Sequence, residues 1–311
     1  MHILARGLGH EPLLLEALRN GQVTGRLPLV LVRSLLFGRF LVSLPYVSTT
    51  GIQATEIGIG RQLIDEAVRQ AAQQKCHHLA LRHEFQWSHP ALTTELNSKV
   101  HMRLELPQTS EDLWNDLKAS VRNQVRKGQN QNLTVRWGSA ELLNDFHAVF
   151  SRNMRDLGTP VYGRKLFAEI LQQFGSQAEI CTVSLRDRCV AAALLVHGSG
   201  TTVVPSASSL QKFNSTNANM LMYWNLLKRA VERGQQVFDF GRSTRNSGVY
   251  RFKKQWGARP HSACWQFHVR HGAPEQTRPE SRRNQRLIRV WRRLPVCLTR
   301  IIGPRIVRGI P

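Results

Sequence analysis

The chain has 311 residues, enough for two domains of ordinary size, and an apolar fraction of 41% that supports a packed core. Its formal charge of +22 calls for an acidic partner: nucleic acid, a phosphate-bearing substrate or an anionic membrane surface. The five scattered cysteines form no CxxC pair and sit at no zinc-finger spacing, which argues against a disulfide framework or a zinc finger and fits reduced thiols in a cytoplasmic protein.

The opening MHILARGLGHEP has no apolar run behind a basic start and does not read as a secretory leader. Leu27 to Val47 is the most apolar stretch, but Arg33, Ser34, Arg39 and its prolines interrupt it too often for a membrane span. It reads as strands, with Gln22–Val32 and Phe40–Leu44 separated by a turn at Gly38-Arg39. Glu56–Gln74 is expected to be a helix, because Ile59, Leu63, Ala67 and Ala71 recur every four residues with Ile64 and Val68 beside them. His78–Arg82 is a strand. The adjacent His77 and His78 point different ways, as at a helix-to-strand junction, and make a poor metal pair. After a loop with Trp87 and Pro90, Val100–Leu106 alternates as a strand, and Pro107 ends the first unit.

The second unit opens with a helix. Thr109 and Asp112 resemble a capping box, Leu113, Leu117, Val121 and Val125 form an apolar stripe, and Gly128 is placed as the C-terminal cap. Lys118, Arg122, Arg126 and Lys127 form a cationic row beside that stripe. Such a row either lines a groove for an anion or is a solvated face. Ala140–Met154 and Arg164–Phe174 are further helices, joined by the LGTPVYG turn. Ile180–Arg186, Val190–Val196 and Thr201–Pro205 are strands whose short connections force an antiparallel meander. A polar loop, Ser206–Asn219, leads to the helix Met220–Arg233, which Gly234 ends.

The stretch VFDFGRSTRNSGVYRFKKQWG (Val237–Gly257) then combines a short strand, Val237–Phe240, with a turn at Gly241 and a polar cationic loop, Arg242–Gly248. Tyr250, Phe252, Lys253, Lys254 and Trp256 follow, mixing aromatic faces with charge. Arginine forks and lysine point charges suit a phosphate. The alternative is a solvated loop and a helix packed by Tyr250 and Trp256. A helix between the meander and this strand implies a parallel crossover, so the unit has the layout of a GNAT acyltransferase core. In that layout the parallel strands tend to splay, and a ligand enters beside the helix amino end. The first unit shows a shortened form of the same order. The expected fold is α/β (α+β), two tandem GNAT-like domains with mixed, mostly antiparallel sheets flanked by helices. The expected boundaries are a shortened first domain at 1–106, a second at 107–270 and a basic tail at 271–311.

The quoted blocks carry a resemblance. LPLVLVRSLLFG, LVSLPY, VRKG, LGTPV, MYWNLLKRAVERG, VFDFGRS, GVYRFKKQWG and the tail WRRLP…GPRIVRGIP are similar to FemAB-type (GNAT-like, BioF2-like acetyltransferase) transferases, in the subgroup associated with exosortase (PEP-CTERM) and exopolysaccharide systems. The resemblance covers nearly the whole chain. It implies transfer of an aminoacyl group from charged tRNA to an amine on a peptidoglycan precursor. The family's GxYxFKxxFG-like segment maps onto Gly248, Tyr250, Phe252, Lys253, Trp256 and Gly257, which gives Lys253 the charge-stabilising role, with Trp256 in place of the usual Phe. By the same resemblance, an opening strand and helix are expected to be missing. The acyl-CoA loop should precede Met220, but SLQKFNSTNAN lacks the glycines that let a backbone approach a pyrophosphate, which weakens an acyl-CoA reading.

Acyl transfer to an amine needs a neutral amine, an aligned carbonyl and a stabilised oxyanion. No Ser/His/Asp or Cys/His signature stands out, so direct transfer without a covalent enzyme intermediate is expected. Lys253 is expected to stabilise negative charge, and Arg242 and Arg245 to hold phosphate, with Phe252, Trp256, Arg122, Arg126 and Lys127 as further binding residues. Tyr250 either relays a proton or packs. Asp239 is either a base or a hydrogen-bond partner of the following loop. No metal or permanently bound cofactor is expected, and the co-substrate is aminoacyl-tRNA or acyl-CoA. The expected acceptor is a phosphorylated or nucleotide-linked envelope precursor. An acyl-CoA N-acyltransferase and a non-catalytic tRNA- or nucleic-acid-binding protein are the competing functions. From Arg286 on, Leu287, Ile288, Trp291, Leu294, Leu298, Ile301 and Ile302 alternate with arginines. This segment either lies in an anionic leaflet at the inner face of the cytoplasmic membrane or docks on the protein.

Overall fold

The computed structural model describes residues 1–34, 37–44, 51–270 and 282–310. Leu35, Leu36, Pro45, Tyr46 and Val47 of the early motifs, residues 271–281 of the expected tail, and Pro311 lie outside the described residues. The chain forms two mixed seven-stranded sheets with helices packed on them.

The first sheet is built around α1 (His2–Leu8), β1 (Glu11–Arg19), β2 (Gln22–Ser34), β3 (Gly38–Val42), β4 (Gln53–Ala54), α2 (Ile57–Gln73) and β5 (His78–His83). Residues 2–19, to which patterning assigned no element, supply a helix and a strand. The expected α2 stripe is buried: Ile59, Leu63, Ile64, Ala67 and Ala71 face the sheet. Gly25 permits the close approach, since a Cβ there would stand 2.7 Å from Ile59 Cγ2. β3 and β5 run parallel across α2. β6 (Thr94–Leu96) and β7 (Lys99–Glu105) follow.

The second half continues with α3 (Ser110–Asp116), α4 (Ala119–Gln129), β8 (Leu133–Gly138), α5 (Leu143–Leu157), α6 (Arg164–Phe174), β9 (Ala178–Leu185), β10 (Arg188–Gly198), β11 (Thr201–Ser209), α7 (Ala218–Glu232) and β12 (Val237–Thr244). β9, β10 and β11 form the expected antiparallel meander, and β12 joins β11 in parallel after α7. β10 reads as a continuous apolar run because both faces are covered. Ala191, Ala193 and Leu195 pack with α4 and α7, while Ala192 and Leu194 pack with α5 and α6. α8 (Gly248–Gln255), β13 (Arg259–Ser262) and β14 (Cys264–Val269) follow, then α9 (Arg282–Arg293) and α10 (Val296–Val307).

Sheet membership departs from chain order. β7, from the first unit, pairs with β12 and β13 in the second sheet, whereas β14 returns to pair with β5 and β6 in the first. The two sheets are therefore joined by exchanged strands. Helix α1 strengthens the join by lying on α6, where Gly7 faces Leu166 so closely that a Cβ would meet the Leu166 Cα at 2.9 Å.

Other expectations need correction. The helix foreseen from Thr109 breaks at Leu117 and Lys118, whose ψ angles of 141° and 142° are extended. The stripe survives, because Leu113, Leu117, Val121 and Val125 all enter one core. The Thr109 cap forms, with its hydroxyl accepting from Asp112 N at 3.1 Å. Gly128 is no cap: it lies inside α4 against α7, where a Cβ would sit 3.1 Å from both Asn217 O and the Leu221 Cβ. At Gly241 the strand bulges and runs on to Thr244 instead of turning out. The tail docks through one face, with Trp291, Thr299, Gly303 and Val307 buried.

Candidate functional site

β11 and β12 pair only over Thr201–Val203 and Val237–Asp239, and then part. Just beyond the last pair, Gly241, with a φ of 74°, stands in a bulge between Asp239 and Arg242 in the β12–β7 ladder, which continues on both sides of it. Two side chains hold the bulge from opposite sides. Asp239 Oδ1 accepts from Gly241 N at 2.6 Å, and Lys253 Nζ donates to the carbonyls of Gly241 at 3.0 Å and Arg242 at 2.8 Å. Helix α8 delivers the lysine. Its start is set by Ser247, whose hydroxyl accepts from Tyr250 N at 3.1 Å.

Lys253 is only 6% exposed. Burial lowers its pKa to about 8; nearby Asp239 opposes that shift and Arg242 adds to it. An ammonium has three N–H donors, and the bulge carbonyls engage two of them. Asp239 also accepts from Arg103 Nε at 3.1 Å, and the Arg103 fork continues to both oxygens of Glu84. Asp239 thus makes the hydrogen bond to the following loop that stood as the alternative to a base, with its second oxygen on Arg103.

The predicted phosphate ligands separate. Arg242 turns inward, with its guanidinium 4.6 Å from the Trp265 ring centroid. Arg82, at the end of β5, lies 4.2 Å from the same ring. Burial lowers the Arg242 pKa and raises that of nearby Tyr162 to about 12, against the pull of Arg242 and Arg82. Cations from both sheets therefore meet on one indole. Arg245 instead lines an open cleft of about 270 Å³ at the seam between the sheets, with Lys99, Asn97, Glu84 and Glu95. Lys99 Nζ donates to Thr244 Oγ1 at 2.6 Å, and the Arg245 side chain is exposed. Arg103 links the two places, since Glu84 forms part of the cleft wall and Asp239 part of the bulge clamp.

Other predicted residues have structural duties. Trp256 is 1% exposed inside the second core and offers no face to a ligand. Phe252 packs on Tyr223, with ring centroids 4.9 Å apart, and Tyr250 is half-buried against the same core. Arg122 Nη1 donates to the carbonyls of Asn115 at 2.9 Å and Leu117 at 2.7 Å, finishing α3. Arg126 lies 5.5 Å from the Trp114 ring, and Lys127 is exposed. The cationic row is therefore divided between a helix end, an indole and solvent. Arg82, Arg103, Tyr162 and Trp265 were not singled out. Tyr162 lies in the quoted LGTPVYG turn, but no local pattern marks the other three.

At the amino end of α7 two amides bond within the preceding turn: Asn217 N donates to Asn214 O, and Ala218 N donates to Thr216 Oγ1. No cluster of His, Cys, Asp or Glu among the described residues is arranged to hold a metal. All five cysteines are free thiols.

The parted parallel pair, the meander before it and the repeated layout define a tandem GNAT-like fold. Residues 115–254 match the family model described as an acetyltransferase (GNAT) domain. The crystal structure of FemX, a FemAB-type transferase, superposes with a TM-score of 0.62 at 15% identity, covering 91% of each chain. The C-terminal domain of a putative lysylphosphatidylglycerol synthetase from Agrobacterium fabrum gives 0.58 at 10% identity, covering 86% of this chain and 87% of that one. A tandem GNAT protein from the clavulanic acid biosynthesis pathway gives 0.55 at 12% identity, covering 85% and 84%. At these identities the likeness is one of fold. No curated protein matches the chain by sequence.

Proposed function

We propose that the protein is a FemAB-like acyl or aminoacyl transferase that moves an acyl group to an amine on a phosphorylated envelope or exopolysaccharide precursor. The observation that carries this reading is the opening between β11 and β12, bordered by a bulge that a buried ammonium holds in shape. In this reading the amine attacks the acyl carbonyl, the oxyanion develops beside Lys253, and collapse expels the donor's ribose alkoxide or thiolate, which takes up the proton the amine loses. Lys253 contributes positive charge and the N–H not spent on the bulge. Tyr250, in the first turn of the same helix, is assigned the relay of the amine's proton. Arg245 and Lys99 take the acceptor's phosphate at the cleft.

Aminoacyl-tRNA is the preferred donor. The glycine-free start of α7 spends its first amides on its own turn, leaving a poor cradle for a pyrophosphate. The second reading, an acyl-CoA-dependent N-acyltransferase, rests on the acetyltransferase domain match. The free thiols favour a reducing, cytoplasmic setting. Mass spectrometry of precursor pools, with and without the protein, tests the proposal. An added aminoacyl mass on an envelope precursor supports it, and unchanged pools overturn it. Calorimetric binding of coenzyme A would shift the donor to the second reading.

A further inference from the structure

Residues 282–310 contain many arginines and no carboxylate. Their helices are pinned through one face. Gly303 packs on the 157–163 turn, where a Cβ would stand 2.9 Å from Val161 N; Arg292 Nη2 donates to Leu157 O at 3.2 Å, and Arg155 Nη1 to Arg292 O at 3.3 Å. Beside and across from the buried positions, aliphatic side chains stay open: Leu287 is 61% exposed, Val290 60%, Leu298 46% and Ile301 64%. Exposed Arg286, Arg289, Arg293 and Arg300 border these side chains. Aliphatic side chains gathered on a docked, folded surface mark a contact site.

We propose that the outer face of α9 and α10 is a docking surface for an anionic phospholipid leaflet. The charge fixes the partner's sign, and the aliphatic residues fix its nature. An RNA backbone would satisfy the guanidiniums but leave Leu298 and Ile301 in water. A leaflet satisfies both, taking guanidiniums at the phosphates and aliphatic groups at the acyl boundary. No helix among the described residues is long and apolar enough to cross a membrane, so the helices lie along the surface. The turn that seats α10 also carries Tyr162, beside Arg242 and Arg82.

The test is co-sedimentation of the full chain with phosphatidylcholine vesicles, with and without phosphatidylglycerol. Partition is expected only with the anionic lipid, weakening as salt rises. The double variant Leu298→Glu/Ile301→Glu should lower it about tenfold or more while leaving the melting temperature unchanged, since both side chains lie outside the core. A melting shift would bring in Leu287→Glu/Val290→Glu, on the other helix, which should give the same loss. Equal partition to both vesicle types, no partition, or full partition by the variants would overturn the proposal. So would variants that abolish tRNA binding or self-association of a chain that ignores vesicles.

Discussion

The two halves repeat one plan and differ where it matters. Each has antiparallel strands, a helix and then a strand parallel to one of those strands, β3 with β5 and β11 with β12. In the first half the ladder also covers three pairs, Phe40–Val42 with His78–Ala80, but one side chain bridges the strands beyond it: Ser43 Oγ accepts from Arg82 N at 2.8 Å. In the second half the β11–β12 pairing stops at Asp239, just before the Gly241 bulge, while the β12–β7 ladder runs on to Thr244. One serine side chain bridges the first pair of strands past its ladder, while in the second a glycine bulge, clamped by an aspartate and a lysine, follows the last pair.

The largest expected effect comes from Lys253→Met, which keeps the length and removes the charge. Transfer should fall about a hundredfold or more, measured as product formed by a variant whose circular dichroism is unchanged. The same variant tests the pH behaviour. Between about pH 8, the value in the folded chain, and the ordinary lysine value of 10.5, the unfolded chain holds a proton that the folded chain has released. Stability therefore gains from Lys253 as pH rises through that window, and Lys253→Met should remove that part of the slope in denaturant titrations. Gly241→Ala forces a side chain onto a φ of 74°. It should cost about 1–2 kcal/mol in thermal unfolding and lower transfer as well, because the carbonyls that hold Lys253 move. Arg245→Ala should raise the KM for the phosphorylated acceptor about tenfold with little change in kcat. Ser43→Ala should cost about 1 kcal/mol of stability and leave transfer unchanged. Lost transfer in that last variant would break the contrast between the seams.

Much of the second half was legible because its patterns are local. The apolar spacing of α2, α6 and α7 and the short turns of the meander lie within single segments, and each element formed near its expected bounds. The chemical character of the block Val237–Gly257 was legible for the same reason, since it gathers glycine, lysine and arginines in one run. The duties of single side chains were not. Trp256 and Arg122 have the composition of binding residues, and only their neighbours show that one fills the core and the other ends a helix.

By itself the sequence determined the class of the strongly patterned elements, the crossover that makes a parallel pair, and the chemical character of the stretch around Lys253. Tertiary structure alone decided that β7 and β14 trade sheets, that Arg82 and Arg242 meet on Trp265, and that Asp239 and Lys253 clamp one bulge. The physical reason is range. Periodicity and turn chemistry act over a few residues, whereas the choice of strand neighbour is a competition among partners far apart in the chain, settled by which arrangement buries the most apolar surface and leaves the fewest backbone groups unpaired.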